Sequence, residues 1–222
     1  MAHTFDTSGI TAGATSNPVV LSYTPGVGAT VLVLCICIES VVARGGGAPT
    51  FNGVAMLQAG TTQVTNSTVG STEIWYMLNP PTGAPLNISV PNSGILAMTI
   101  IGSTYKAAAG FTSKLDAVNG VSSTGVGSAN PTVSVVTTVN GDAIVSAVIH
   151  SGGALTQGQT LLFTGVGVVN KYGSEYALQS SLGSITMGWT ATTGRWATNV
   201  ASFSEIAIAT NKNQLMMMGT GT

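Results

Sequence analysis

Charged side chains are scarce in this chain. Asp, Glu, Lys and Arg make up 6% of its 222 residues, and six basic and seven acidic side chains give a net charge of -1, whereas an average soluble domain is about 25% charged. Six scattered basic side chains do not form the dense positive patch that binds a phosphate backbone, so we expect no nucleic-acid partner. A nearly neutral surface of Thr, Ser, Asn and Gly offers little repulsion against self-association and favours a packed assembly.

Long apolar runs are absent as well. No stretch approaches the roughly 20 apolar residues of a transmembrane helix, although 44% of the chain is hydrophobic. Residues 1–6, MAHTFD, contain neither the basic region nor the apolar core of a secretory signal. We therefore expect no membrane partner and a protein that is made and folded in a cytoplasm.

The chain has only two cysteines, Cys35 and Cys37, which lie two residues apart in the apolar run VLVLCICI. The period of a strand places both on one face, with their Cα atoms about 6.5 to 7 Å apart, near the upper limit for a disulfide. No second Cys or His pair is spaced to complete a metal site. We expect both thiols to be buried, reduced and structural.

Sequence typical of strands and turns is abundant. Gly accounts for 29 residues, and Thr, Ser and Val are frequent, which favours strands joined by tight turns. Residues 29–43 are almost continuously apolar and predict a central strand covered on both faces, ended by the glycines at 45–47. Residues 107–131 are rich in Ala, Gly, Ser and Asn and predict a long surface excursion. The patterns give ten to twelve strands in one domain, a two-layer antiparallel β-sandwich with a single core.

Two hairpins are predicted from local patterns. Residues 72–79 alternate in the manner of a strand, and residues 86–90 also alternate and are expected to pair with them. Residues 132–138 and 142–149 are expected to pair across Asn140-Gly141, since Asn-Gly suits a type I′ turn. Within residues 72–79 the alternation places Glu73 and Trp75 on the face opposite Ile74.

Catalytic motifs are lacking. Glu73 precedes Trp75, and glycosidase sites combine carboxylates with aromatics, but a second carboxylate on the neighbouring strand is missing. His3 and His150 have no spacing typical of a zinc site or a triad, so structural roles are favoured. Asp142 is expected to tie the Asn140-Gly141 turn to its own backbone, with calcium ligation as the alternative. We expect no catalytic residues, no metal and no cofactor.

Four aromatic side chains are candidates for stacking on a sugar. They are Trp75, Tyr76, Trp189 and Trp196, and aromatic faces with polar rims are typical of lectin-like sandwiches. Their alternation with apolar neighbours favours packing in the sandwich core over an exposed platform.

The C-terminal segment, residues 210–222, has no strand alternation and carries a small apolar cluster of Leu215, Met216, Met217 and Met218. On a monomer this cluster would form an exposed apolar patch, and Met adapts well to irregular contact surfaces. We interpret the segment as a contact arm that reaches a neighbouring subunit, with a disordered end as the alternative.

Four segments in order carry a resemblance to a known class of domain. They are FNGVAM at 51–56, EIWYMLNPPTG at 73–83, TVNGD at 138–142 and VASFSE at 200–205. Together they resemble jelly-roll, concanavalin-like β-sandwich domains of the kind found in virion proteins of tailed phages. The likeness covers residues 17–209, which leaves residues 1–16 as an N-terminal leader and 210–222 as the arm.

This resemblance implies a function without carrying over any catalytic residue. It implies a non-enzymatic virion structural protein, a phage capsid decoration or cement subunit that contacts copies of itself and a major capsid or other virion protein. The alternative is a carbohydrate-binding, lectin-like module of a phage tail or an extracellular surface filament. A glycan-cleaving enzyme is a third hypothesis and needs two acidic side chains about 5 to 9.5 Å apart in a cleft.

Overall fold

The computed structural model describes residues 3–60, 63–123, 130–167 and 169–208. The regular secondary structure of these residues consists of β-strands, which confirms the all-β prediction. The described residues contain no helix that is long and apolar enough to cross a membrane. The described residues form 18 strands: β1 (Thr4–Ala14), β2 (Val19–Tyr23), β3 (Val31–Ile38), β4 (Thr50–Phe51), β5 (Val54–Ala55), β6 (Leu57–Gln58), β7 (Val64–Asn66), β8 (Gly70–Leu78), β9 (Leu86–Val90), β10 (Met98–Lys106), β11 (Phe111–Ser122), β12 (Thr132–Thr137), β13 (Asp142–His150), β14 (Thr156–Gln157), β15 (Thr160–Val166), β16 (Lys171–Gln179), β17 (Gly183–Thr190) and β18 (Trp196–Ala207).

The strands of the described residues pair into four antiparallel sheets rather than the two that the sequence predicted. The first inner sheet has the order β1-β10-β3-β8-β6, with β7 also on β8, and the second inner sheet has the order β11-β18-β13-β16-β15. The first outer sheet is β2-β9-β4-β5, and the second outer sheet is β12-β17-β14.

The largest core lies between the two inner sheets. Alternate residues of β3, including Cys35 and Cys37, pack against small residues of β13 such as Ala143 and Ala147. Both cysteines are buried and free, as predicted. The opposite face of β3, including Ile36, packs against the first outer sheet. Strand β3 is therefore covered on both faces, which confirms the interpretation of its continuous apolar run.

The second inner sheet is covered in the same way. Ile144 of β13 and Val200 of β18 pack against Val133 and Val135 of the second outer sheet. The expected single core is therefore replaced by separate apolar clusters on the two sides of each inner sheet. This layering explains why β13 is buried at every position.

The strand orders reveal that the fold consists of two halves with the same topology. Strands β1, β2, β3, β4, β6, β8, β9 and β10 occupy the same relative places as β11, β12, β13, β14, β15, β16, β17 and β18. Each half has one inner and one outer sheet, and the inner sheets face each other across the main core. The sequence patterns did not predict this repeat.

A bulge in the first strand of each half supports the repeat. The bulges fall at Asp6 in β1 and at Asp116 in β11. Each carboxylate accepts a backbone N–H from the loop that follows the second strand of its half, from Gly26 at 2.7 Å and from Thr138 at 2.7 Å. The two halves thus fasten the same loop with the same residue type.

Both predicted hairpins are wrong. Strand β9 pairs with β2 and β4 instead of β8, and β12 pairs with β17 instead of β13. In each case the chain passes from one sheet of a half to the other, so neighbouring strands in sequence are not neighbours in a ladder. At Asn140-Gly141 only the glycine has a positive φ, whereas a type I′ turn needs positive φ at both residues.

Two further boundaries differ from the sequence prediction. Residues 111–122, expected to lie in a surface excursion, form β11 and pair along their length with β18. Residues 4–14, expected to belong to a leader, form β1 and pair with β10. Both are partly exposed edge strands of inner sheets, so their apolar pattern is weak.

Candidate functional site

The candidate site is a pocket of about 550 Å³ in the first half of the fold. It lies between the loop after β3, the short strands β6 and β7, and the start of β8. Its lining residues are Ala43, Arg44, Gly45, Gly47, Ala48, Gln58, Gln63, Thr65, Glu73 and Trp75. Because side chains alternate along β8, Glu73 and Trp75 face this pocket while Ile74 faces the core between the inner sheets.

An ion pair lies at the base of the pocket. Arg44 Nε donates to Glu73 Oε2 at 3.2 Å, and only 5% and 6% of the two side chains is exposed. The glycine loop after Arg44 makes this approach possible: Gly45, Gly46 and Gly47 all have positive φ. A Cβ on Gly46 would lie 2.5 Å from the side chain of Pro91, so only glycine fits at this position.

Trp75 completes a three-residue unit. Its indole Nε1 donates to the same Glu73 oxygen, Oε2, at 2.6 Å. The Arg44 guanidinium carbon lies 5.5 Å from the centroid of the indole ring, within the range of a cation–π contact. Each of the three side chains therefore holds the other two, which fixes the orientation of the charged groups before any ligand arrives.

The unit leaves one acceptor and one donor unused. Arg44 Nη1 donates to the carbonyl of Pro91 at 2.9 Å, but among the described residues no hydrogen bond involves Arg44 Nη2 or Glu73 Oε1. Arg44 Nη2 and Glu73 Oε1 are not completely buried, so both atoms remain accessible from the pocket. A carboxylate acceptor and a guanidinium donor thus lie side by side next to an aromatic ring.

The rim of the pocket is polar and neutral. Gln58 lies opposite Trp75 in the ladder between β6 and β8. Gln63 and Thr65 lie on the other side, and Gln63 Nε2 donates to Ser71 Oγ. Amide and hydroxyl groups therefore surround the ion pair, and the described residues that line the pocket include no other charged side chain.

The four aromatic candidates do not share a surface. Trp75 lines the pocket and is half-buried, but Tyr76 points to the opposite face of β8, where its ring lies edge-on to Phe203 at 5.3 Å between centroids. Trp189 in β17 and Trp196 in β18 are buried in the other half. The four side chains therefore form no common platform: Trp75 lines the pocket, and the rings of Tyr76, Trp189 and Trp196 pack in the interior.

The two histidines are buried and hydrogen-bonded within the fold. His3 Nδ1 donates to the carbonyl of Gly141 at 2.6 Å, while Nε2 lies 2.8 Å from Ser113 Oγ. His150 Nδ1 accepts the N–H of Gly152 at 2.8 Å. Burial lowers the pKa of both imidazoles. The described residues hold no group of three or more His, Cys, Asp or Glu side chains arranged to bind a metal.

Arg44 is the functional residue that sequence reasoning missed. The available signal was an arginine at the end of an apolar strand, directly before three glycines, in a chain with only six basic residues. Glu73 and Trp75 were recognised as neighbours on one strand face, but their partner lay 29 residues upstream. The predicted contact residues Leu215, Met216, Met217 and Met218 lie outside the described residues.

Comparison with known proteins adds no relative. No family model, no curated protein and no solved structure matches this chain.

Proposed function

We propose that this protein is a non-enzymatic β-sandwich protein that binds a neutral saccharide in the pocket of Arg44, Glu73 and Trp75. The observation that carries the proposal is the unused acceptor of Glu73 beside the unused donor of Arg44. A sugar hydroxyl both donates and accepts a hydrogen bond, so it satisfies both atoms at once. The indole edge and the amide rim suit the mixed apolar and polar surface of a sugar ring.

The charge of the pocket selects a neutral ligand. Among the residues that the structure describes, Arg44 and Glu73 are the only charged ones lining the pocket, and they neutralise each other. A charged ligand would lose its hydration in the pocket without finding a free counter-charge, which is unfavourable. The volume of about 550 Å³ falls within the usual range of small-molecule sites.

Binding without cleavage fits the acid groups of the pocket. Glycoside hydrolysis uses two carboxyl groups about 5 to 9.5 Å apart. Within the described part of the chain Glu73 is the one carboxylate that lines the pocket, and its Oε2 atom is already engaged by Arg44 and Trp75. The carboxylate therefore serves as a fixed acceptor.

We also propose that each half of the fold is a jelly roll. Numbered within a half, the inner sheet has the strand order 1-8-3-6-5 and the outer sheet the order 2-7-4. Two interleaved Greek keys of eight strands give this alternation between the sheets. The proposal keeps the jelly-roll type expected from the resemblance but assigns it twice.

A second candidate function is the virion structural role, as a capsid decoration or cement subunit that assembles with copies of itself and with a major capsid or other virion protein. The supporting observation is a surface with few charges and with exposed aliphatic side chains, such as Val27, Val42 and Val169 at 76%, 64% and 74% exposure. Such surfaces are covered in assemblies. Saccharide binding would fit a phage tail or surface filament.

A glycan array tests the saccharide proposal. The labelled protein should bind one class of neutral glycans, and Trp75→Ala should lose that binding. Trp75→Phe, which keeps a ring but removes the N–H bond to Glu73, should bind more weakly than the parent. Val54→Ala is the matched control, because Val54 is 60% exposed in the same half and outside the pocket lining. An array without any specific signal would contradict the proposal.

Electron microscopy of particles tests the structural role. A chain truncated after residue 209 should fold but occupy particles or filaments less fully than the intact chain if the arm makes subunit contacts. Equal occupancy would refute the contact arm, and absence of the intact chain from any particle would refute the virion role itself.

A further inference from the structure

Asp142 is a buried carboxyl group without a hydrogen-bond partner. It begins β13 and is fully buried, and neither of its oxygens accepts a hydrogen bond from the described residues. The expectation that it ties the Asn140-Gly141 turn to its own backbone is therefore wrong. An unpartnered carboxylate in the interior is strongly unfavourable, so this site requires a proton or a ligand.

Two further unpartnered oxygens lie beside Asp142. Gln179 is its partner across the ladder to β16, and Ser204 is the next residue in register on β18, since Ala143 pairs with Phe203. Residues opposite each other in a ladder project on the same face, with Cβ atoms about 4.5 to 5.5 Å apart. Gln179 Oε1 and Ser204 Oγ are both buried and unpartnered in the described structure.

Asp116 supplies a second carboxyl group. It lies at the bulge of β11, and its oxygens accept the N–H and the hydroxyl of Thr138. The carboxyls of Asp116 and Asp142 are within hydrogen-bond reach of each other. Because ionised carboxylates have no proton to donate, the two form that bond only when one of them is protonated. Lys114 is the remaining charged group that acts on Asp142.

We propose that Asp116, Asp142, Gln179 and Ser204 form a binding site for one Ca²⁺ ion. All the available ligand atoms are oxygens, and hard cations such as Ca²⁺ prefer oxygen ligands. Two carboxylates neutralise the ion, and together with the amide and hydroxyl oxygens they supply at least four protein ligands, which water completes to the six to eight that Ca²⁺ takes. Zn²⁺ is disfavoured, because the set contains no Cys or His.

The competing explanation is a proton shared by the two carboxyls. A shared proton accounts for Asp116 and Asp142 but leaves Gln179 Oε1 and Ser204 Oγ unpartnered. A cation accounts for all four side chains. The first half of the fold contains no such site at the corresponding bulge, since Asp6 is paired with Lys106 Nζ at 2.8 Å.

Thermal unfolding with CaCl₂ against EDTA tests the proposal. At pH 8 we expect millimolar Ca²⁺ to raise the Tm of the parent by about 3 °C or more. The rise should be smaller at pH 5.5, where protons compete for the carboxyls. It should disappear in Asp142→Asn and persist in Asp6→Asn, the matched control. Calorimetric titration with CaCl₂ should give one site per chain.

Two results would overturn the proposal. The first is a parent Tm that does not change with Ca²⁺ at pH 8; if Asp142→Asn is then also more stable than the parent, the pair is assigned to a shared proton. The second is an equal rise of the Tm in Asp142→Asn. If Asp142→Asn fails to fold, Ser204→Ala takes its place and should weaken Ca²⁺ binding about tenfold; unchanged binding in that variant would also overturn the proposal.

Discussion

Glu73 of β8 and Glu175 of β16 lie on corresponding strands of the two halves, two residues apart in register, and are held by different partners. Glu73 lies opposite Ile36, which in turn pairs with Ile100, and Glu175 lies opposite Ser146, which pairs with Val200. Both carboxylates face the outer sheet of their half. Glu73 lines the candidate pocket, whereas Glu175 is a fully buried structural carboxylate.

Backbone N–H groups of the second half hold the Glu175 carboxylate. Glu175 accepts backbone N–H groups from Gly158 at 3.1 Å, Gln159 at 2.9 Å and Gly188 at 2.8 Å. Burial raises the pKa of Glu175, while these hydrogen bonds oppose the shift. Glu73 instead uses a single oxygen for Arg44 and Trp75 and keeps the other for the pocket. Corresponding strands of the two halves thus carry a structural carboxylate in β16 and a candidate binding carboxylate in β8.

The Arg44–Glu73 pair should be costly to break from one side. Arg44→Met leaves the Glu73 carboxylate buried without its counter-charge, and we expect a loss of about 3–5 kcal/mol in the free energy of unfolding. The double variant Arg44→Met with Glu73→Met should lose less than the sum of the single variants. Urea unfolding measures all three; a single-variant loss under about 1 kcal/mol would show that the pair is solvated.

Ile74 and Trp75 should differ in stability. Ile74 is 1% exposed in the core between the inner sheets, whereas Trp75 borders the pocket. We expect Ile74→Ala to cost about 2–5 kcal/mol and Trp75→Ala to cost less. Urea midpoints of the two variants decide the order, and a larger loss for Trp75→Ala would place the indole in the core instead.

Asp142 should make the stability of the metal-free protein depend on pH. Burial and the neighbouring Asp116 raise the pKa of Asp142 from 3.8 to about 7. Between these values the folded protein keeps a proton that the unfolded chain has lost, so the free energy of unfolding should fall as the pH rises from about 4 to about 7. Asp142→Asn should flatten this decline in urea titrations in EDTA. An equal decline in both proteins would assign it to other groups.

The thiols should be inert in the native state. Burial raises the pKa of Cys35 to about 12 and raises that of Cys37 as well, and the thiol is far less nucleophilic than the thiolate. A thiol reagent at pH 8 should label neither cysteine in the native protein and both in urea. Rapid native labelling, or a Cys35–Cys37 disulfide in the mass of the unreduced protein, would contradict this account.

Sequence patterns predicted strands well where burial was complete. The run at Val31–Ile38 is buried at every position, and such continuity appears only in strands that are covered on both faces. Residues 111–122 gave the opposite result. They form a partly exposed edge strand, and Lys114, Asp116 and Asn119 interrupt its apolar pattern, so their pairing with β18 depends on tertiary contacts that local sequence does not encode.

Two Asn-Gly dipeptides show how context decides turn type. At Asn52-Gly53 both residues have positive φ, 50° and 77°, and Phe51 pairs with Val54 across a two-residue hairpin. At Asn140-Gly141 only the glycine has positive φ. The type I′ hairpin was predicted at the second site, where the structure does not have it. The same dipeptide makes the tight turn only where its two flanking strands belong to one sheet.

The sequence predicted two of the three residues at the base of the candidate pocket. Alternation placed Glu73 and Trp75 on one strand face, and this prediction is confirmed. The contribution of Arg44 depends on the path of the glycine loop and on its approach to Pro91, which no periodic pattern specifies. Long-range partners of this kind emerge only from the assembled fold.

Calorimetric titration of a neutral glycan selected on the array tests the central claim most directly. The parent and Val54→Ala should bind one glycan per chain with equal affinity. Trp75→Ala, verified as folded by circular dichroism, should bind at least tenfold more weakly, because it loses the ring and releases Glu73 from its fixed orientation. Equal affinity in Trp75→Ala, or no heat of binding in the parent, would contradict the assignment of this pocket as a saccharide site.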